Sequence, residues 1–351
     1  MKTKIIAVFF SIALAFQVTA KNPKNVILMI GDGMGLPQVY AAMIANGNKL
    51  NIERCTNTGF SKTYSFTNYT TDSGAGGTAI ACGVKTRNYM IGLNPDSTKA
   101  ESILEVAERN KLATGIVVSC ALTHATPADF IAHQINRNMY EEIAADYMNT
   151  DVDVMIGGGR KYFEDRTDDK NLTEELKKKN YNIAYTLDDV KKVKTGKLAG
   201  LLYDDQNPPM PARGKMLPES VSAALDILKT NKKGFFLMVE GSQIDWACHD
   251  NQLDSVIMEV LDFDEAIGRV LDFAQKDKNT LVIITADHET GGLTLPDGNI
   301  NSKINKAIFT TKGHSGVAVP VYSYGPGSEN FRGFMENSSF KAKIEKVLNI
   351  K

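Results

Sequence analysis

Asn25-Val26-Ile27-Leu28-Met29-Ile30 runs without a break into Gly31-Asp32-Gly33-Met34-Gly35. A short, continuously apolar run suits a strand covered on both faces, as in a parallel sheet, whereas a strand with one wet face would alternate. The glycines end that strand and leave the Asp32 carboxylate just beyond its carboxyl end, which is where open α/β sheets bind their ligands. Similar runs recur at 115–119, 152–156, 235–239, 281–285 and 319–324. Between them, helical apolar spacing appears at 100–110, 140–148, 217–230, 253–276 and 340–348. The alternation predicts a single α/β domain over 21–351, with a largely parallel central sheet flanked by helices on both faces. Segment 165–215 is more charged, holding Lys177-Lys178-Lys179, Lys191-Lys192 and Pro208-Pro209, and is expected to be a surface elaboration.

The 351 residues are 43% apolar and 23% charged, enough for a large core. Forty basic residues against forty-one acidic give a net charge of −1, which excludes wholesale attraction to nucleic acid or an anionic membrane. Lys2 and Lys4 precede an apolar run over 5–16 and then Gln17-Val18-Thr19-Ala20. That order matches a secretory signal cleaved after Ala20, too short for a membrane span, and implies a periplasmic or secreted mature protein. Cys55, Cys82, Cys120 and Cys248 allow three disulfide pairings or four free thiols, and the sequence does not choose between them.

Thr71-Asp72-Ser73-Gly74-Ala75-Gly76-Gly77-Thr78-Ala79 sets a hydroxyl beside a carboxylate at a predicted helix start. Small residues there would let an anion approach the first amides of the helix, making Ser73 a candidate nucleophile toward a phosphate ester. Taken alone, a Ser before such a Gly/Ala-rich turn is more often an ordinary N-cap. The strand ends add metal-ligand chemistry: Asp32, then His124-Ala125-Thr126-Pro127, Glu240 through Asp245-Trp246-Ala247-Cys248-His249, Asp287-His288-Glu289, and His314. Four of the five histidines fall in these segments. Asp245 and His249, four apart, share one face of a helical turn. Asp with His suits Zn²⁺, and a set of carboxylate and Thr oxygens suits Mg²⁺. Cys248 is set aside as a ligand.

In order, Asn-Val-Ile-Leu-Met-Ile-Gly-Asp-Gly-Met-Gly, Thr-Asp-Ser-Gly-Ala-Gly-Gly-Thr-Ala, His-Ala-Thr-Pro-Ala, Val-Glu-Gly-Ser-Gln-Ile-Asp-Trp, Thr-Ala-Asp-His-Glu-Thr-Gly-Gly and a late Gly-His resemble the alkaline phosphatase family, in its compact bacterial type. The resemblance implies a metal-dependent phosphomonoester hydrolase acting through a phosphoserine. Two Zn²⁺ and one Mg²⁺ per subunit are implied, the third site being possibly Zn²⁺ or partly occupied. Asp245, His249 and His314 are similar to ligands of the first zinc. Asp287 and His288 resemble those of the second, which also takes the Ser73 oxygen. Asp32 resembles the carboxylate shared with magnesium, and Thr126 and Glu240 resemble magnesium ligands. Arg137, eleven residues past Thr126, falls where the family places the arginine that grips phosphate, and Asp72 and Ser73 belong with it to the implied substrate-binding set. His124 and Trp246 occupy two substrate-side positions that vary in the family. Phosphate monoesters are the implied partners, with no nucleic-acid specificity or membrane anchor, and a homodimer is implied. The short interval from His288 to His314 implies that the large surface insertion of bigger members is reduced. A phosphodiesterase or related esterase of the same superfamily is the alternative.

Overall fold

The computed structural model describes residues 22–299 and 303–351, so the expected signal segment lies outside the described residues. In chain order the strands are β1 (Asn25–Gly31), β2 (Asn57–Lys62), β3 (Ala113–Ala121), β4 (Val154–Gly158), β5 (Tyr181–Ala184), β6 (Lys197–Leu201), β7 (Phe235–Gly241), β8 (Thr280–Thr285), β9 (Glu289–Thr290), β10 (Leu293–Asn299), β11 (Lys303–Phe309), β12 (His314–Ser315), β13 (Val319–Tyr324) and β14 (Gly333–Glu336). Ten of them form one sheet in the order β14-β2-β13-β8-β1-β7-β3-β4-β6-β5, in which β13 runs against the others.

Every residue of β1, β3, β4, β7 and β8 is buried, which is what their unbroken apolar runs require. Alternate side chains feed two apolar layers. Val26, Leu28 and Ile30 face helices Ile103–Arg109 and Phe340–Leu348, while Ile27 and Met29 face Leu36–Ala45, Met216–Leu228 and Leu253–Asp277. The central sheet with helices on both faces agrees with the expected α/β architecture, and two two-stranded ribbons, β10-β11 and β12-β9, stand apart from it.

Several boundaries differ from the sequence expectation for identifiable reasons. The helix expected over 100–110 starts at Ile103, because Ser102 Oγ accepts the Glu105 amide at 3.1 Å while Glu105 accepts the Ser102 amide at 2.7 Å. Segment 165–215 supplies β5 and β6, which lengthen the sheet beyond β4 and bury Leu198 and Leu201. All four cysteines are free thiols. No helix among the described residues is long and apolar enough to cross a membrane.

The topology fixes where chemistry collects. β8, β1, β7 and β3 are consecutive neighbours pointing the same way, so the loops at their carboxyl ends meet. The segments just beyond those ends carry Asp287, Asp32, Asp245 (in the helix Gln243–His249) and His124.

Candidate active site

Three side-chain clusters lie along these strand ends, and within each the donor atoms sit within 4.8 Å of one another: Asp32, Asp287 and His288; Asp245, His249 and His314; and Cys120, His124 and Glu240. In the first, His288 Nε2 is 3.4 Å from Asp32 Oδ1 and 3.2 Å from Asp287 Oδ2. In the second, helix Gln243–His249 brings His249 Nε2 to 3.2 Å from Asp245 Oδ2, and His314 Nε2 lies 3.2 Å from His249 Nε2. Gly33 makes room for this convergence. Its φ of +69° favours glycine, and a Cβ there would meet Thr290 Oγ1 at 2.7 Å and Asp245 Oδ1 at 3.0 Å.

Backbone carbonyls orient the imidazoles. His314 Nδ1 donates to Thr71 O at 2.8 Å and His249 Nδ1 donates to Lys312 O, which leaves each Nε2 lone pair turned inward in the neutral ring. Thr290, which the sequence reading missed, performs this task for His288. Its hydroxyl donates to Asp245 Oδ1 at 2.5 Å and stands 3.2 Å from His288 Nδ1, so one residue ties the first two clusters together. β9 pairs with β12, setting Thr290 opposite His314. The only sequence signal was its place two residues after His288. Thr290→Val, which keeps the shape and removes both bonds, is expected to weaken zinc binding about 10–100-fold. Titration against a chromogenic chelator measures this, and unchanged affinity would reduce Thr290 to a packing residue.

The donor sets suit cations on physical grounds. Asp32 Oδ1, Asp287 Oδ2, Glu240 Oε1 and His124 Nδ1 are buried without hydrogen-bond partners. Such groups are costly to bury unless something else satisfies them. Burial, then the charges of Asp287, Asp245 and Glu240, push Asp32 well above the usual carboxylate range. Burial likewise pushes Glu240 up to about 7 and Asp287 up to about 6. Burial also acts on Asp245, but its hydrogen bond with His249 and the nearby imidazoles hold it below that range. The same bond raises His249 to about 9, while burial lowers His288 and His314 to about 4 and His124 to about 3.

A pH dependence of metal uptake follows from these shifts. Ligands bind metal deprotonated, so Asp287, Glu240 and His249 must release protons they hold up to about pH 6, 7 and 9. Zinc affinity is therefore expected to rise as pH increases from 6 to 9, with protons released on binding. Calorimetry in buffers of different ionisation enthalpy tests this, and pH-independent affinity would contradict it.

The nucleophile candidate stands over the first cluster. Ser73 opens helix Ser73–Cys82, and its Oγ is 3.3 Å from both Asp32 Oδ2 and His288 Nε2. The N-cap is Asp72, not Ser73: Asp72 Oδ1 accepts the Ala75 amide at 3.0 Å. Asp72 Oδ2 accepts from Arg137 Nη1 at 3.0 Å, which places the guanidinium beside Ser73. The glycines of this helix have a packing use that the sequence reading did not name. A Cβ at Gly76 would sit 3.1 Å from Asp287 O, and one at Gly77 2.1 Å from Asp129 Oδ2. They let the helix press closely against the Asp287 backbone and the Asp129 side chain. Asp72 also takes the Gly76 amide through its carbonyl at 2.8 Å.

Thr126 Oγ1 reaches Asp32 Oδ2 at 3.4 Å and lies close to Glu240, between the first cluster and the third. Trp246 packs edge-on to His124 with ring centroids 5.6 Å apart. Cys248 points elsewhere, accepting from Gln38 Nε2 at 3.8 Å. A cavity of about 480 Å³, lined by Thr71, Asp72, Tyr89, Arg137, His249 and His314, opens over Arg137 and the second cluster. Among the described residues, only the β10–β11 hairpin occupies the interval from His288 to His314 as regular structure beyond β9.

Comparison with known proteins places the chain in a family. The family model described as alkaline phosphatase matches residues 23–307. Alkaline phosphatase 4 of Bacillus subtilis is 36% identical, the match covering 93% of this chain and 88% of that protein. Alkaline phosphatase of Escherichia coli is 30% identical, covering 97% and 89%. The solved alkaline phosphatase of the Antarctic bacterium TAB5 is similar at 42% identity and TM-score 0.89, covering 95% of this chain and 99% of that one. Variants of that enzyme, with one histidine changed to glutamate or aspartate, have Mg bound in the site called M3.

Proposed function

The chain belongs to the alkaline phosphatase family and hydrolyses phosphate monoesters, and from that premise we propose that the reaction runs through a phosphoserine at Ser73. The observation that carries this reading is the position of Ser73 Oγ, 3.3 Å from Asp32 Oδ2 and His288 Nε2, with Arg137 docked alongside through Asp72. The first zinc falls to Asp245, His249 and His314. The second falls to Asp287, His288 and Ser73, with Asp32 shared toward a third ion at Thr126 and Glu240, magnesium or zinc. Magnesium in the M3 site of the Antarctic relative's variants supports that third position.

Bound divalent ions supply Lewis acidity, lowering the pKa of a coordinated hydroxyl and offsetting charge on the phosphoryl group. The chain's own residues do the rest. Ser73 Oγ, its proton lost to solvent, attacks phosphorus; the bond to the leaving oxygen breaks and the departing alkoxide takes a proton from water to leave as the alcohol. Arg137, held at Nη1 by Asp72, presents its remaining donors to two non-bridging oxygens. Water then attacks from the vacated side, the bond between phosphorus and Oγ breaks, and Ser73 recovers its proton as phosphate leaves. Three divalent ions against Asp32, Glu240, Asp245 and Asp287 leave +6 − 4 = +2, and Arg137 adds one more, a field suited to a dianion.

Arg137 would contribute to a preference for monoesters, because two oxygens on its guanidinium and a third facing the metal cluster account for all three non-bridging oxygens of a monoester dianion, whereas a diester monoanion has only two to share between them. Arg137→Ala is expected to weaken inorganic phosphate binding by about 2 kcal/mol, or roughly thirtyfold. It should also narrow the monoester-to-diester rate ratio measured with one shared leaving group. A wild-type diester rate equal to the monoester rate would favour the phosphodiesterase alternative instead. Export after removal of residues 1–20 and a homodimer complete the proposal. An exposed Phe334, stacked at 5.1 Å on Phe60 at the open edge of the sheet, supports association there.

A further inference from the structure

The third cluster differs in kind from the other two, because it contains sulfur. Cys120 lies near the carboxyl end of β3, His124 opens the turn that follows, and Glu240 sits one residue before the end of β7. Each offers a donor atom within 4.8 Å of the others. Cys120 and Glu240 are fully buried and His124 is 9% exposed. Cys120 Sγ lies 3.5 Å from Glu240 Oε2 and 3.3 Å from the Ala121 carbonyl. A buried cysteine ordinarily serves as a small hydrophobe. Here, however, Glu240 Oε1 and His124 Nδ1 are left without partners beside it.

We propose that the third ion is a zinc ion held by the Cys120 thiolate, a ring nitrogen of His124 and Glu240, with Thr126 adjacent. This rests on the metal-dependent reading above and narrows its magnesium-or-zinc choice. Thiolate and imidazole suit zinc, whereas magnesium demands six oxygens in near-octahedral array. Binding releases the thiol proton to solvent. The thiolate also changes the charge balance: +6 − 4 − 1 leaves +1, and Arg137 raises this to +2, the charge that a phosphate monoester dianion neutralises.

Cobalt replacement of zinc in the full protein tests this, since a thiolate bound to Co²⁺ gives an intense near-ultraviolet charge-transfer band that oxygen and nitrogen ligands do not. Cys55, Cys82 and Cys248 belong to no metal-capable cluster among the described residues, so a band reports Cys120. The wild type is expected to show the band as the third equivalent of Co²⁺ binds, and Cys120→Ala and Cys120→Ser to lack it. Metal analysis in excess magnesium should find three zinc ions per wild-type chain, but two zinc and one magnesium in Cys120→Ser. Losing a direct ligand should weaken third-zinc binding about 100-fold or more, the upper end of what losing an outer partner costs. Three bound cobalt ions without the band, a band persisting in Cys120→Ala, or wild-type third-zinc affinity in Cys120→Ser would each overturn the proposal. If the variants fail to fold, the wild-type spectrum decides. An active phosphatase lacking the band would sink this inference alone, whereas failure of the phosphatase reading would show as absent turnover whatever the spectrum.

Discussion

Ser73→Ala is expected to cut turnover by on the order of a thousandfold or more while leaving metal content and phosphate binding intact. The separation follows from the geometry. Ser73 sits at the first helical position, but Asp72 makes the cap and docks Arg137, so deleting one hydroxyl disturbs neither. The Oγ bonds to Asp32 and His288 are long, at 3.3 Å, and both partners retain other contacts in the cluster. The variant should therefore bind inorganic phosphate as the wild type does and fail only where a bond must form. Acid-quenched wild type supplied with a monoester should carry phosphate on Ser73, detected by peptide mass. Near-normal turnover in Ser73→Ala would mean that water attacks the ester directly.

Chelation should abolish activity altogether and lower thermal stability with it. In the metal-free protein Asp32, Asp287, Asp245 and Glu240 lie buried at adjoining strand ends, three of them driven toward protonation by burial and by one another. An ion that binds only the folded state stabilises it by about 4 kcal/mol when present at a thousand times its Kd. Each ion held by these clusters in the folded state alone would add its own increment. Calorimetry before and after dialysis against chelator, with restoration by zinc, measures the effect. An unchanged melting temperature would mean that the clusters are self-sufficient hydrogen-bonded networks.

What could be read from the sequence followed burial. β1, β3, β4, β7, β8 and β13 announce themselves as apolar runs because strands in the sheet interior have no wet face. β14, the edge strand, four residues with Phe334 exposed, and β2 next to it, with burial alternating along Asn57–Lys62, carry no such run. β5 and β6 were hidden by the charged composition around them. The residues gathered at the site were legible one by one, since Asp and His after a strand are conspicuous. Their supports were not. Thr290 reads as an ordinary strand residue until β9 meets β12, and Cys120 is lost inside the run of β3 until β7 brings Glu240 alongside. The glycines of Ser73–Cys82 were visible but their purpose was not, because contact with Asp287 and Asp129 depends on tertiary packing.

The most direct test of the central claim is anomalous diffraction at the zinc absorption edge from crystals of the zinc-loaded protein. Peaks are expected at Asp245, His249 and His314 and at Asp32, Asp287 and His288, about 4 Å apart, with Ser73 Oγ directed at the second. Zinc bound elsewhere, with these two clusters empty in an active enzyme, would contradict the account.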